Sequence, residues 1–224
     1  MSTAVFIDGG FFIRRVRYFE PEHAFDAKYM TKLAFSMTIA HMKNKNKEDD
    51  DLYRAFFYDC PPLEKKMHNP ISNKLVDFSK SDEAIFRRAL HAELIKKRKF
   101  ALRLGRLSDT GTVWQIKPDI QQKLLKNKIR WDELKEEDVK MNVIQKGVDM
   151  RIGLDIASVT LKKQVDKIVL ISGDSDFVPA SKLARREGID FVLDPMGQNI
   201  AEDLFEHIDG LRSAYTQRKQ KEKS

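Results

Sequence analysis

One cysteine, Cys60, stands among the 224 residues. Its solitude excludes a disulfide within the chain and a cysteine-built zinc site, and it leads us to expect a reducing, cytoplasmic setting. No run approaches the ~20 apolar residues that a membrane-spanning helix needs. The N-terminus lacks the basic and apolar regions of a signal peptide, so a membrane partner is not expected. Internal repeats are absent, as is low-complexity sequence apart from a basic tail. The five histidines, His23, His41, His68, His91 and His207, show no metal-ligand spacing. Gly9-Gly10 does not continue into G-x-G-x-x-G, which disfavours a dinucleotide-binding enzyme. Gly10 also fills the place where a phosphatase acting through a strand-end aspartate would carry its second aspartate.

What is present is a chain able to bury a core, with 42% hydrophobic residues, and a net charge of +7 with pI near 9.3. Five basic residues and one acidic residue fall between Arg212 and Ser224. Further cations are Lys96, Lys97, Arg98 and Lys99, then Lys117, Lys123, Lys126, Lys128 and Arg130. Any one such run is ordinarily solvated helix surface. Together they favour a polyanionic partner, nucleic acid above all.

The pattern of elements alternates. Unalternating apolar runs at Ala4–Asp8, Leu52–Cys60, Phe100–Leu107, Ile168–Ile171 and Ile189–Leu193 read as parallel strands buried on both faces. Helical spacing runs through Asp26–Met42, Ser81–Lys99, Val148–Lys163, Val178–Glu187 and Asn199–His207. Residues 61–80, rich in proline and polar side chains, read as irregular. An insertion at about 108–146 breaks the alternation. There, Asp109-Thr110-Gly111 and Thr112–Ile116 suggest an antiparallel edge hairpin, with helical pieces at Ile120–Leu125 and Trp131–Val139. The expected fold is α/β, a three-layer sandwich around a mostly parallel sheet. Residues 1–211 are expected to form a single domain and 212–224 a basic tail.

Two stretches carry the chemistry: Val5-Phe6-Ile7-Asp8-Gly9-Gly10 and Ile168-Val169-Leu170-Ile171-Ser172-Gly173-Asp174-Ser175-Asp176-Phe177. Carboxylates at the C-terminal ends of parallel strands lie where open α/β sheets bind ligands. Like charges ~4 Å apart cost roughly 4 kcal/mol per pair at an effective dielectric of about 20, and a divalent cation is the usual remedy. Each aspartate has a plainer reading as a helix N-cap, Asp174 or Asp176 for the helix near Val178 and Asp149 for the one after Gly147. Trp114 and Trp131 could stack on bases, though core packing is the commoner fate of tryptophan.

These strings, with Lys146-Gly147-Val148-Asp149, Asp155, Arg186-Glu187-Gly188 and Ala201-Glu202-Asp203-Leu204-Phe205, resemble the NYN domains. That family of nucleases is related to the PIN domains and to LabA-like bacterial proteins. The resemblance spans about residues 3–211. It implies a PIN-like sandwich and metal-dependent RNA cleavage, with RNA as partner and Mg²⁺ or Mn²⁺ as cofactor. Asp8, Asp149, Asp174 and Asp176 match the family's catalytic and metal-binding aspartates, with Asp8 and Asp174 expected to hold the metal directly. Lys146 and Ser172 are assigned to substrate binding, and Asp155 to support behind the ligands. Many relatives carry an asparagine shortly after the first aspartate, where this chain has Gly9-Gly10-Phe11-Phe12. A catalytically silent nucleic-acid-binding or scaffold module of the same fold, alone, as a homo-oligomer or with a partner protein, is the alternative.

Overall fold

The computed structural model describes residues 1–43, 48–108 and 110–215. Asp109, one residue of the expected turn, and most of the basic tail therefore lie outside the described residues.

Six strands form one sheet: β1 (Ser2–Asp8), β2 (Asp51–Asp59), β3 (Phe100–Leu104), β4 (Lys167–Ile171), β5 (Asp190–Asp194) and β6 (Gly210–Leu211). Their spatial order is β6-β5-β4-β1-β2-β3, and every pairing is parallel. The chain thus builds outward from β1 in one direction and then returns to build outward in the other. The seam lies between β1 and β4, where Phe6 pairs with Leu170 and Ile7 with Ile171. Crevices at such seams are where sheets of this order bind ligands.

Seven helices are used here: α1 (Gly9–Phe19), α2 (Ala27–Met42), α3 (Asp82–Ile95), α4 (Pro118–Leu125), α5 (Val148–Leu161), α6 (Val178–Arg186) and α7 (Glu202–Phe205). Side chains alternate across each strand, so two cores form on opposite faces. Val5, Ile7, Phe57, Val169 and Ile171 pack with α1, α2 and α3. Phe6, Phe56, Ile168, Leu170 and Phe191 pack with α5, α6 and Leu204 of α7. Each large side chain so buried contributes about 1.5–3 kcal/mol. The result is the three-layer sandwich expected from the unalternating runs.

The insertion differs from expectation. Phe100–Leu107 is divided at Gly105, where an added Cβ would sit 2.8 Å from the Lys146 carbonyl and 2.9 Å from Val148. Only Phe100–Leu104 joins the sheet; Arg106–Leu107 turns away to pair antiparallel with Gln145–Lys146. Val113–Ile116 pairs not with the preceding strand but with Val139–Asn142, some 25 residues on, as a separate ribbon. Trp131–Val139 is not a helix but two single 3-10 turns leading into that ribbon strand. Residues 61–80 hold a further small antiparallel pair, Lys66–His68 with Leu75–Asp77.

Candidate active site at the sheet seam

Asp8 ends β1 and caps α1. Its Oδ1 accepts from the Phe11 amide at 3.0 Å, the N-cap geometry that leaves the second oxygen available. That oxygen, Oδ2, accepts from the Ser172 hydroxyl at 3.3 Å. Helix α1 can start so close to β2 because residue 9 is glycine: a Cβ there would meet the Tyr58 carbonyl at 2.4 Å and the Phe57 ring at 2.5 Å.

Across the seam, β4 ends at Ile171, and Ser172-Gly173-Asp174 continues along the crevice. Asp174 caps the short turn Ser175–Phe177, accepting from the Asp176 amide at 3.0 Å. Its own amide points to the Ser172 hydroxyl at 3.4 Å. Ser172, fully buried, therefore links the Asp8 carboxylate to the backbone amide of Asp174 instead of facing solvent. The capping reading and the ligand reading are compatible, since each cap uses one oxygen.

Asp8, Ser172 and Asp174 line one cleft of about 500 Å³, together with Phe11, Arg14, Arg15, Tyr18 and Gln198. Asp149 and Asp176 line a neighbouring, more apolar groove between α5 and α6. Asp149 lies in the first turn of α5 but does not cap it; Gly147, at φ +78°, holds the cap position. Electrostatics tie the two clefts together. Burial pushes the Asp8 carboxyl above its ordinary range and the charge of Asp149 adds to this, while the Phe11 amide, Arg14 and Ser172 oppose it. The Asp149 carboxyl is raised by desolvation first, then by Asp174 and Asp176, with Arg14 again opposing. Four aspartates thus share one pole of the molecule.

They do not yet form a closed cage. Among the described residues no three of these carboxylates bring ligand oxygens within 4.8 Å of one another; the group that does is Glu20, Glu22 and His23, beyond the end of α1. The donor set nonetheless suits a hard, hydrated cation, which takes one or two carboxylates directly and keeps several waters. Asp8 and the exposed Asp174 line the same cleft, while Asp149 and Asp176 line the groove beside it.

The remaining expectations fall as follows. Lys146 is exposed on its short strand and does not line the cleft. Asp155 accepts from the Tyr58 hydroxyl at 2.8 Å and lies 3.4 Å from Nε of Arg103, apart from the cleft. Phe11, in the stretch where relatives place asparagine, is buried against Gly173, its ring 3.0 Å from where a Cβ on that glycine would be. A polar group does come close: Oε1 of Gln145 lies 3.8 Å from an added Gly10 Cβ, itself 3.4 Å from Oδ1 of Asp8. Gln145, Arg14, Arg15 and Gln198 were not singled out by sequence. Arg14 and Arg15 follow Asp8 by less than two helical turns, which is the one sequence signal that could have found them.

Two further carboxylates end strands beside the cleft and are already satisfied. Asp59 of β2, fully buried, accepts from Arg87 and from His91 Nε2 at 2.8 Å. Asp194 of β5 pairs with His41 Nε2 at 2.8 Å and accepts from the Met196 and Ala214 amides. Among the described residues, neither Asp8 nor Asp174 forms an ion pair with a cation within 4.0 Å.

No curated protein matches the chain. A crystal structure from Vibrio parahaemolyticus, titled as a protein of unknown function, aligns at 16% identity over 95% of this chain and 91% of its own, with a TM-score of 0.47. No helix among the described residues is long and apolar enough to cross a membrane. The NYN domain model matches residues 2–208. With the match spanning nearly the whole length, the chain belongs to the NYN domain family, within the PIN-like nuclease superfamily.

Proposed function

We propose that this protein is a divalent-metal-dependent ribonuclease acting on RNA phosphodiester bonds at the β1–β4 seam, and that residues 1–211 are its catalytic domain. The observation that carries the reading is the link of Asp8 through Ser172 to the Asp174 backbone across the seam, with Asp174 and Asp176 close enough to raise the Asp149 carboxyl. Bound there, Mg²⁺ or Mn²⁺ would supply a Lewis acid for the phosphate and a more acidic water. The protein's own part is positional. Asp8 and Asp174 would hold the ion and Asp149 and Asp176 would orient water beside it, while Ser172 ties Oδ2 of Asp8 to the backbone that carries Asp174. Arg14 offsets the negative charge that would otherwise repel phosphate. Lys146 and the cations of the 117–130 insertion remain candidates for more distant phosphates. A cytoplasmic location goes with this reading, as the lone buried Cys60 suggests.

Incubation of purified protein with labelled RNA, with and without Mg²⁺ or Mn²⁺, tests it. Cleavage should require the ion and vanish in Asp174→Asn, whose melting temperature should be unchanged because asparagine caps as well as aspartate. Activity of that variant equal to wild type would remove Asp174 from the role. A second reading, a silent RNA-binding module of the same fold, is favoured by one observation, the separation of the carboxylate oxygens. Ion-independent RNA binding without cleavage would select it.

A further inference from the structure

The Lys96–Lys99 run cannot carry a strand leaving this cleft. It precedes β3, whose first residue pairs with Ala55, and Nζ of Lys99 lies 3.1 Å from Asp51 at the start of β2. That is the N-terminal end of the parallel strands, whereas Asp8 lies at their C-terminal end. A second cleft instead adjoins the first and shares Arg15, Tyr18 and Gln198 with it, adding Phe19, Asn199 and Tyr215.

The shared wall has an unusual make-up. Tyr18 is 74% exposed, although aromatic rings generally seek the core. Its edge is fixed from below by Phe19, ring centroids 5.1 Å apart at 72°, and by the Arg15 guanidinium 5.6 Å from its centroid. Arg15 is itself held, donating Nη2 to the Met196 carbonyl at 2.9 Å and lying 4.3 Å from the Phe19 centroid. Yet its Nε is buried with no partner. Phe19 stacks in turn on Tyr215, whose hydroxyl donates to Glu20 at 2.6 Å. A ring so braced keeps little freedom to lose when something stacks on it. Arg14 stands exposed on the same helix, nearer Asp8.

The geometry points to a single-stranded RNA subsite along α1, in which an unpaired base stacks on Tyr18 while Arg14 and the rim of the second cleft take the adjoining backbone. This rests on the ribonuclease reading above and narrows it to unpaired RNA. A base paired and stacked within a duplex has no free face to offer, whereas a single strand presents one at every nucleotide. Arg15, itself held by the Phe19 ring and the Met196 carbonyl, acts as a positioning residue behind Tyr18.

The test is the affinity of the full chain for a short unstructured fluorescent RNA, and for a blunt duplex of the same sequence, with Ca²⁺ present. Wild type should prefer the single strand. Tyr18→Ala should weaken that binding about tenfold, Tyr18→Trp should restore it, and neither should alter duplex binding. Arg14→Gln should weaken both RNAs and flatten the salt dependence. Equal affinity of Tyr18→Ala and wild type for the single strand would overturn the subsite, as would equal losses for both RNAs. Absence of any RNA binding by wild type would defeat the ribonuclease reading itself, a different outcome from RNA binding that ignores Tyr18.

Discussion

Ser172 donates its hydroxyl to Oδ2 of Asp8 at 3.3 Å, across 164 residues of chain and across the seam between β1 and β4. The Ser172 hydroxyl oxygen accepts in turn from the Asp174 amide at 3.4 Å. One buried hydroxyl thereby ties the Asp8 carboxylate to the backbone that carries Asp174.

Ser172→Ala should remove that brace at small cost to the fold, about 0.5–1.5 kcal/mol. A hydrogen bond to the charged form favours ionisation, so its loss should raise the Asp8 carboxyl further. Mn²⁺ affinity, read by calorimetry, should fall severalfold. Unchanged affinity together with unchanged stability would show that the two carboxylates are set by their caps alone.

The raised carboxyls predict a pH dependence of stability. Asp8 and Asp149 bind protons more tightly in the fold than in the unfolded chain. Their contribution is therefore greatest at low pH and is lost as pH rises through the raised folded values. Asp149→Asn should then stabilise the metal-free protein near neutral pH, by less than about 1 kcal/mol because the site is partly exposed to water. The gain should shrink as pH falls and vanish below the unfolded aspartate value of about 3.9, where both states are protonated. Added Mg²⁺ should shrink it at neutral pH. A destabilising Asp149→Asn in metal-free buffer would contradict mutual repulsion in the cluster.

Asp59 tests the opposite case, a carboxylate whose partners are internal. Arg87 and His91 both hold it, and Glu83 accepts from Arg87 and Arg17. Arg87→Met should leave a buried charge short of its strongest partner and cost about 3–5 kcal/mol in urea unfolding. A loss below about 1 kcal/mol would mean that Asp59 takes up a proton or water when Arg87 is gone.

Gly9→Ala should be costly for a steric reason. The new methyl would overlap the Tyr58 carbonyl and the Phe57 ring, so α1 must move away from β2. The expected loss is about 1–3 kcal/mol or more, with weaker Mn²⁺ binding because the Asp8 cap moves with the helix. Wild-type stability and binding in this variant would reveal slack between α1 and β2.

Much of the fold was legible because β1, β2, β4 and β5 are buried on both faces and so lack alternation. Asp8 and Asp174 could be expected at one end of the sheet because Asp8 ends such a run and Asp174 comes three residues after another. The Val113–Ile116 partner was not legible: short, half-exposed strands carry little apolar signal, and Val139–Asn142 lies beyond α4. Arg14, Arg15 and Gln198 were hidden for another reason. An exposed arginine or glutamine reads as solvated surface until the fold shows which aspartate it faces.

The strand order also governs when the cleft can come into being. Asp8 is made well before its partners across the seam: one flank of β1 waits for Lys167–Ile171 and its carboxylate waits for Ser172. Long-range parallel pairing of this kind is slow and comes late in folding. The outer strand pairs β2–β3 and β4–β5 can each form from nearer neighbours, but neither pair contains the cleft. A chain made only as far as β3 therefore carries Asp8 without its Ser172 partner, and under the proposed function, metal affinity should report that both halves of the sheet have met.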